Sequence, residues 1–83
     1  MMTAYKETSI QIAFYLDHLG PMSAKELQQI STGEKTYGIL YNNHYQWFKR
    51  VDRGVYDLTD LGRTEYQTYP EIISLYRQSD LKK

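Results

Sequence analysis

Lys49, Arg50 and Arg53 are the residues whose type and spacing point most directly to a chemistry. They fall in the run Trp47 to Thr59, WFKRVDRGVYDLT, with Asp52 the one acid among them. Asp52, Arg53 and Gly54 are turn formers, and the flanking Phe48, Val51, Val55, Tyr56 and Leu58 are β-prone, so the run predicts two short strands around a tight basic turn. The chemistry of such a hairpin is electrostatic. Guanidinium and ammonium groups meet phosphate oxygens, and Arg53 at the tip is placed to enter a minor groove while Lys49 and Arg50 set the register on the backbone. A solvated hairpin is the competing reading, because charged residues also protect exposed strand edges, and Arg50 could instead pair with Asp57 across the hairpin.

A second group precedes the hairpin. Lys35, Thr36, Tyr41 and Asn42 are expected on the outer face of a helix, where an amide can read adenine and a lysine can reach guanine or phosphate. Asn43 has an alternative use as the cap that ends that helix. Tyr37, Tyr41 and Tyr45 offer hydroxyls to phosphates, yet nine tyrosines in so short a chain also fit half-buried packing with polar tips. His18 and His44 are the two histidines, and no spacing joins them to each other or to acids in a metal pattern. No nucleophile with its base, no paired carboxylates and no glycine-rich phosphate loop stand out, since Gly33 and Gly38 are isolated. The residues taken alone therefore predict no enzyme, no catalytic or metal site and no cofactor.

Whole-chain charge lends nothing to nucleic-acid binding, because ten basic and ten acidic side chains cancel. The local distribution does. Between Lys35 and Tyr56 four basic residues face Asp52 alone, and the balancing acids lie elsewhere, at Glu7, Asp17, Glu26, Asp57, Asp60, Glu65, Glu71 and Asp80. Eighty-three residues make a single domain with a small core, one that a partner subunit often completes. The absence of cysteine excludes disulfides and thiolate metal sites. No apolar run approaches a membrane span and the first residues are too polar for a signal peptide, so the expectation is a cytoplasmic protein with no membrane contact.

The elements that must position these groups are legible from periodicity and punctuation. Tyr5 to Leu19 predicts a first helix, with Ile12, Leu16 and Leu19 on one face and Ile10 and Phe14 on a neighbouring one, stopped by Gly20 and Pro21. Met22 opens a very short strand. Ser23 and Glu26 form a capping box for a second helix through Ile30, with Leu27 and Ile30 inward. A third helix is expected over Glu34 to His44, with Thr36, Leu40, Asn43 and Trp47 on one plausible inward face. Thr59 caps a fourth helix running to Tyr69, with Leu61 and Tyr66 as contacts, and Pro70 separates it from a short helix over Glu71 to Gln78. The core spans about residues 5–69 and an extension 70–83. Ile10, Phe14, Ile72, Ile73 and Tyr76 are more apolar surface than a core this small covers, so two arrangements stand: packing of the last helix on the first within one chain, or a homodimer interface made of these residues.

This order gives a mainly α fold with a small β-hairpin, a winged helix-turn-helix. The runs GPMSAKEL and ILYNNHYQWFKRVDRGVYDLTDLGR resemble winged helices of the HARE-HTH kind and those appended to restriction-endonuclease-like proteins. The residues carrying the second run's resemblance are Phe48, Arg50, Val51, Gly54, Val55, Tyr56 and Leu58, and the resemblance extends from about Ile10 to Arg63. It implies a DNA-associated or regulatory role. The expectation is a small DNA-binding protein, a transcriptional regulator or phage-type accessory factor, with duplex DNA as partner. The alternative is a module that docks a protein partner through its tyrosine-rich surface.

Overall fold

A computed structural model describes residues 4–30, 33 and 35–76 of the chain. The first helix, α1 (Ala4–Leu19), is the spine of the molecule, and it buries Ile10, Ile12, Ala13, Phe14, Tyr15 and Leu16 almost completely. An arc this wide needs cover on more than one side, and the chain itself supplies it through three later helices, α3 (Thr36–Asn42), α4 (Asp60–Glu65) and α5 (Pro70–Tyr76), and a strand, β3 (Val55–Leu58). Leu19 departs from the expected inward face and is 51% exposed, because it sits in the last turn, where Gly20 at φ +90° takes the chain away from the core.

Strand β1 (Met22–Ser23) leads directly into α2 (Ala24–Gln29). The predicted capping box is complete: the Glu26 amide donates to Ser23 Oγ at 3.1 Å, and the Ser23 amide donates to Glu26 Oε1 at 3.0 Å. Leu27 is buried and Ile30 partly so. Helix α3 (Thr36–Asn42) is shorter than the expected span at both ends. Thr36 Oγ1 donates to the Gly33 carbonyl at 2.6 Å at its start, and at its end Asn43 adopts a left-handed conformation, φ 51°. Asn43 is thus the cap that ends the helix.

The hairpin forms as expected, from β2 (Phe48–Asp52) and β3 (Val55–Leu58), and β3 also pairs with β1, so the antiparallel sheet has the order β1-β3-β2. Pairing steps from Arg50↔Tyr56 to Asp52↔Val55, which leaves Val51 as the extra residue of a bulge next to the turn. Gly54, at φ +69°, takes the turn position that other residues adopt at a cost. Phe48 and Leu58, paired in register at the far end of the hairpin, are both buried.

Thr59 caps α4 (Asp60–Glu65) by accepting from the Gly62 amide at 3.0 Å, and its hydroxyl donates to the Gln46 carbonyl at 2.8 Å. One side-chain oxygen therefore both starts the helix and ties it to the segment entering the hairpin. The expected continuous helix to Tyr69 instead tightens into a 3₁₀ turn over Tyr66–Thr68, because Pro70 excludes the α conformation at Tyr69 and opens α5 (Pro70–Tyr76). Tyr66 is buried as predicted, whereas Leu61 is 47% exposed, on the solvent side of α4.

The described fold is mixed α/β, five α-helices and a three-stranded antiparallel sheet around one core. Of the two arrangements that the sequence leaves open for the apolar surface of the first and last helices, the single chain shows the packing of α5 on α1. Ile10 and Phe14 are fully buried inside the single chain, and Ile72 and Ile73 pack against the same core, so intrachain packing of α5 on α1 accounts for them. The side chain of Tyr76, the fifth residue of that expected surface, lies outside the described part.

Candidate nucleic-acid interface

Strand β2 is buried only at Phe48; the four residues after it face solvent. Lys49, Arg50 and Arg53 are all exposed. The two acids nearest them are turned to their own backbone: Asp52 Oδ1 accepts from the Arg53 amide at 2.7 Å, and Asp57 Oδ1 from the Leu58 amide at 2.8 Å. Register sets Lys49, not Arg50, opposite Asp57. Arg63 pairs with Asp17 at 3.3 Å and with Asp60 at 4.0 Å, and no ion pair among the described residues involves the hairpin cations. The expected Arg50–Asp57 pair is absent from the described residues.

The hairpin is aimed by its base. Asn43 Nδ2 donates to the Phe48 carbonyl at 2.7 Å, and Asn43 Oδ1 accepts from the Phe48 amide at 3.1 Å, so the cap of α3 holds the first residue of β2 at both polar groups. Trp47, buried between them, donates from Nε1 to Glu65 Oε1 at 3.0 Å. Glycine at 62 lets α4 approach this segment: a Cβ there would lie 2.8 Å from the Trp47 Cα. Helix α3, the hairpin and α4 are therefore locked together at a single junction.

Of the helix group, Lys35 at the N-cap of α3 and Tyr41 and Asn42 on it are exposed, and Thr36 is not. Thr36 is fully buried with its hydroxyl on the Gly33 carbonyl, which removes it from any surface contact. Tyr37 and Tyr41 stand on the outside of α3, 59% and 71% exposed, with their rings near parallel at 9° and centroids 6.2 Å apart. Their spacing of four residues places them one turn apart on one side of the helix, a relation visible in sequence but passed over there.

Most other tyrosines pack. Tyr5 meets His44 at 5.1 Å and Tyr45 at 5.7 Å, and Tyr45 meets Trp47 at 5.2 Å between ring centroids. Lys6, unremarked in the sequence, sits over the rings of Tyr45 and Tyr69 at 5.4 and 4.9 Å. Its ammonium is held above the usual lysine range, chiefly by a hydrogen bond to the Tyr69 side chain, against partial desolvation and with help from the charges of Tyr69, Tyr45 and Glu65. Asp17 joins α1 to Arg63 and to the Tyr66 hydroxyl. The His18 ring lies tilted against Phe14, with centroids 4.4 Å apart.

The family model that matches the chain, over residues 1–65, is described as "Putative PD-(D/E)XK phosphodiesterase (DUF2161)". No curated protein and no solved structure matches. The match covers most of the chain, and the chain belongs to this family. Three expectations are corrected by it. The resemblance to winged helices of the HARE-HTH kind and to those appended to restriction-endonuclease-like proteins is superseded, since the family model that matches describes a phosphodiesterase and not a winged helix. A transcriptional regulator or phage accessory factor is replaced by a family of phosphodiesterase character, and the reading of no enzyme is overturned with it.

A phosphodiesterase named for two acids and a lysine implies carboxylates gathered around a divalent cation. Among the described residues no three His, Asp or Glu side chains come together in that way, so these residues do not fit a metal centre. Residues 1–65 also contain no Asp or Glu followed two positions later by Lys; the sequence has this spacing at Asp80 and Lys82, outside the matched span and outside the described residues.

Proposed function

We propose that this chain serves phosphodiester chemistry on DNA, and that its described residues supply the grip on the substrate backbone. The observation that carries this reading is the exposed hairpin whose Lys49, Arg50 and Arg53 have no ion pair among the described residues while the adjacent acids are bonded to amides. Cations left open in this way are matched to a polyanion, and in a phosphodiesterase family the polyanion at hand is the substrate.

The element order and the β1-β3-β2 sheet support a winged-helix arrangement for this grip, with α3 as the helix presented to a groove and β2 and β3 as the wing. In this arrangement Lys49, Arg50 and Arg53 hold phosphates of duplex DNA, and Lys35 and Asn42 lie along the groove. The Asn43 and Thr59 hydrogen bonds keep wing and helix at a fixed angle, so the contacts form without reordering the backbone.

Fluorescence anisotropy with a labelled duplex at stepped salt tests the reading. Wild-type chain is expected to bind with an affinity that falls steeply with salt, and Arg53→Ala to bind more weakly on every sequence alike. Failure of the wild type to bind duplex at low salt removes the reading.

A further inference from the structure

The parallel ring pair of Tyr37 and Tyr41 is not used by contacts to phosphate. Tyr37 and Tyr41, 59% and 71% exposed and one turn apart on α3, are the most exposed large apolar side chains among the described residues. The nucleic-acid counterpart of an open aromatic face is the face of a base. Inside a duplex both faces of every base are covered by neighbours, so only an unpaired base can lie on such a ring.

We propose that Tyr37 and Tyr41 form a stacking platform for unpaired bases, so that the chain prefers single-stranded DNA, or an unpaired stretch within its substrate, to fully paired duplex. This rests on the reading of the hairpin as a phosphate grip. The ring planes are within 9° of each other, so bases of one strand can lie on both rings without a change of direction. Stacking of this kind depends little on base identity, because every base has a π-face.

Anisotropy titrations with a single-stranded oligonucleotide and the duplex of the same sequence, at one salt concentration, test this with three variants. Tyr37→Leu/Tyr41→Leu keeps apolar bulk and removes the π-faces; it is expected to weaken single-strand binding by about five-fold or more and to leave duplex binding nearly unchanged. Tyr37→Phe/Tyr41→Phe keeps the faces and removes the hydroxyls; it is expected to bind like wild type. The triple variant Lys49→Ala/Arg50→Ala/Arg53→Ala is expected to weaken both. If the triple variant weakens both substrates but the leucine pair changes neither, the platform is refuted and the hairpin grip stands. If the phenylalanine pair loses as much as the leucine pair, hydroxyl contacts and not stacking explain the site, and the platform is likewise refuted. If neither substrate binds to wild type, the grip and the platform fall together.

Discussion

Gly62→Ala probes the junction that aims the hairpin. Glycine in a helix interior costs about 1 kcal/mol relative to alanine, so on helix propensity alone the substitution in α4 is stabilising by roughly that amount. The structure reverses the sign. A Cβ at residue 62 would stand 2.8 Å from both Cα and Cβ of Trp47 and closer still to its carbonyl oxygen, and backbone cannot swing aside as the end of a flexible side chain can. Relief requires α4 to back away from Trp47, which stretches the Thr59 hydroxyl bond to Gln46, the Thr59 amide bond to Trp47 at 2.8 Å and the Trp47 bond to Glu65. Inserting a methyl group into a tight site costs about 1–3 kcal/mol, and the strain on these bonds places the net loss in that range after the propensity gain is offset. For a domain of this size each kcal/mol lowers Tm by about 4–8 °C. Trp47 is the only tryptophan, so its fluorescence during reversible urea unfolding reports the transition at the site itself. A Gly62→Ala protein about 1 kcal/mol more stable than wild type would mean that α4 does not approach Trp47, and the account of how the hairpin is aimed would be wrong.

Leu40→Ala removes a buried side chain, 2% exposed, and should cost about 2–5 kcal/mol in the same unfolding assay; a change near zero would place Leu40 on the surface and overturn the register of α3. Asn43→Ala loses both bonds to Phe48 and puts a Cβ-bearing residue without local hydrogen bonds at φ 51°, so it should cost more than Asn43→Gly, which keeps the backbone conformation; equal losses would assign the whole effect to the side-chain bonds. Lys6 has a folded-state pKa raised above the ordinary 10.5, so its contribution to stability is complete below that pH and is lost as pH rises through the folded value. Side-chain NMR titration should find the Lys6 midpoint above that of a free lysine, and Tyr69→Phe should return it toward the free value; an unchanged midpoint in the variant would exclude the Tyr69 hydroxyl as the cause.

Much of the fold was legible because its punctuation is local. Gly20, the Ser23 and Glu26 box, Gly54, Thr59 and Pro70 each act within three or four residues, and every element they bound was expected in the right order. What failed depends on distant cover. Ile10 and Phe14 looked surplus because periodicity shows how wide an apolar arc is but not how many neighbours will cover it, and α5 returns to cover this one. Thr36 was placed on both faces of α3 by sequence, and the short start of the helix, fixed by its bond to Gly33, decided for burial. The basic hairpin was found because its charge is local; the Lys6 cluster was missed because Tyr45 and Tyr69 reach it through tertiary packing. Family membership was illegible for a different reason. The runs that resemble winged helices are rich in turns and caps that many families share, and the matched span has no acid-x-lysine spacing that announces a phosphodiesterase.

The central claim is that Lys49, Arg50 and Arg53 grip the phosphates of DNA. Its most direct measurement is the slope of log K against log[salt] for duplex binding by wild type and by the Lys49→Ala/Arg50→Ala/Arg53→Ala variant. Each phosphate contact contributes about 0.9 to the slope, so the variant is expected to lose up to about 2.7. Equal slopes for the two proteins would contradict the claim, since the hairpin cations would then displace no counterions.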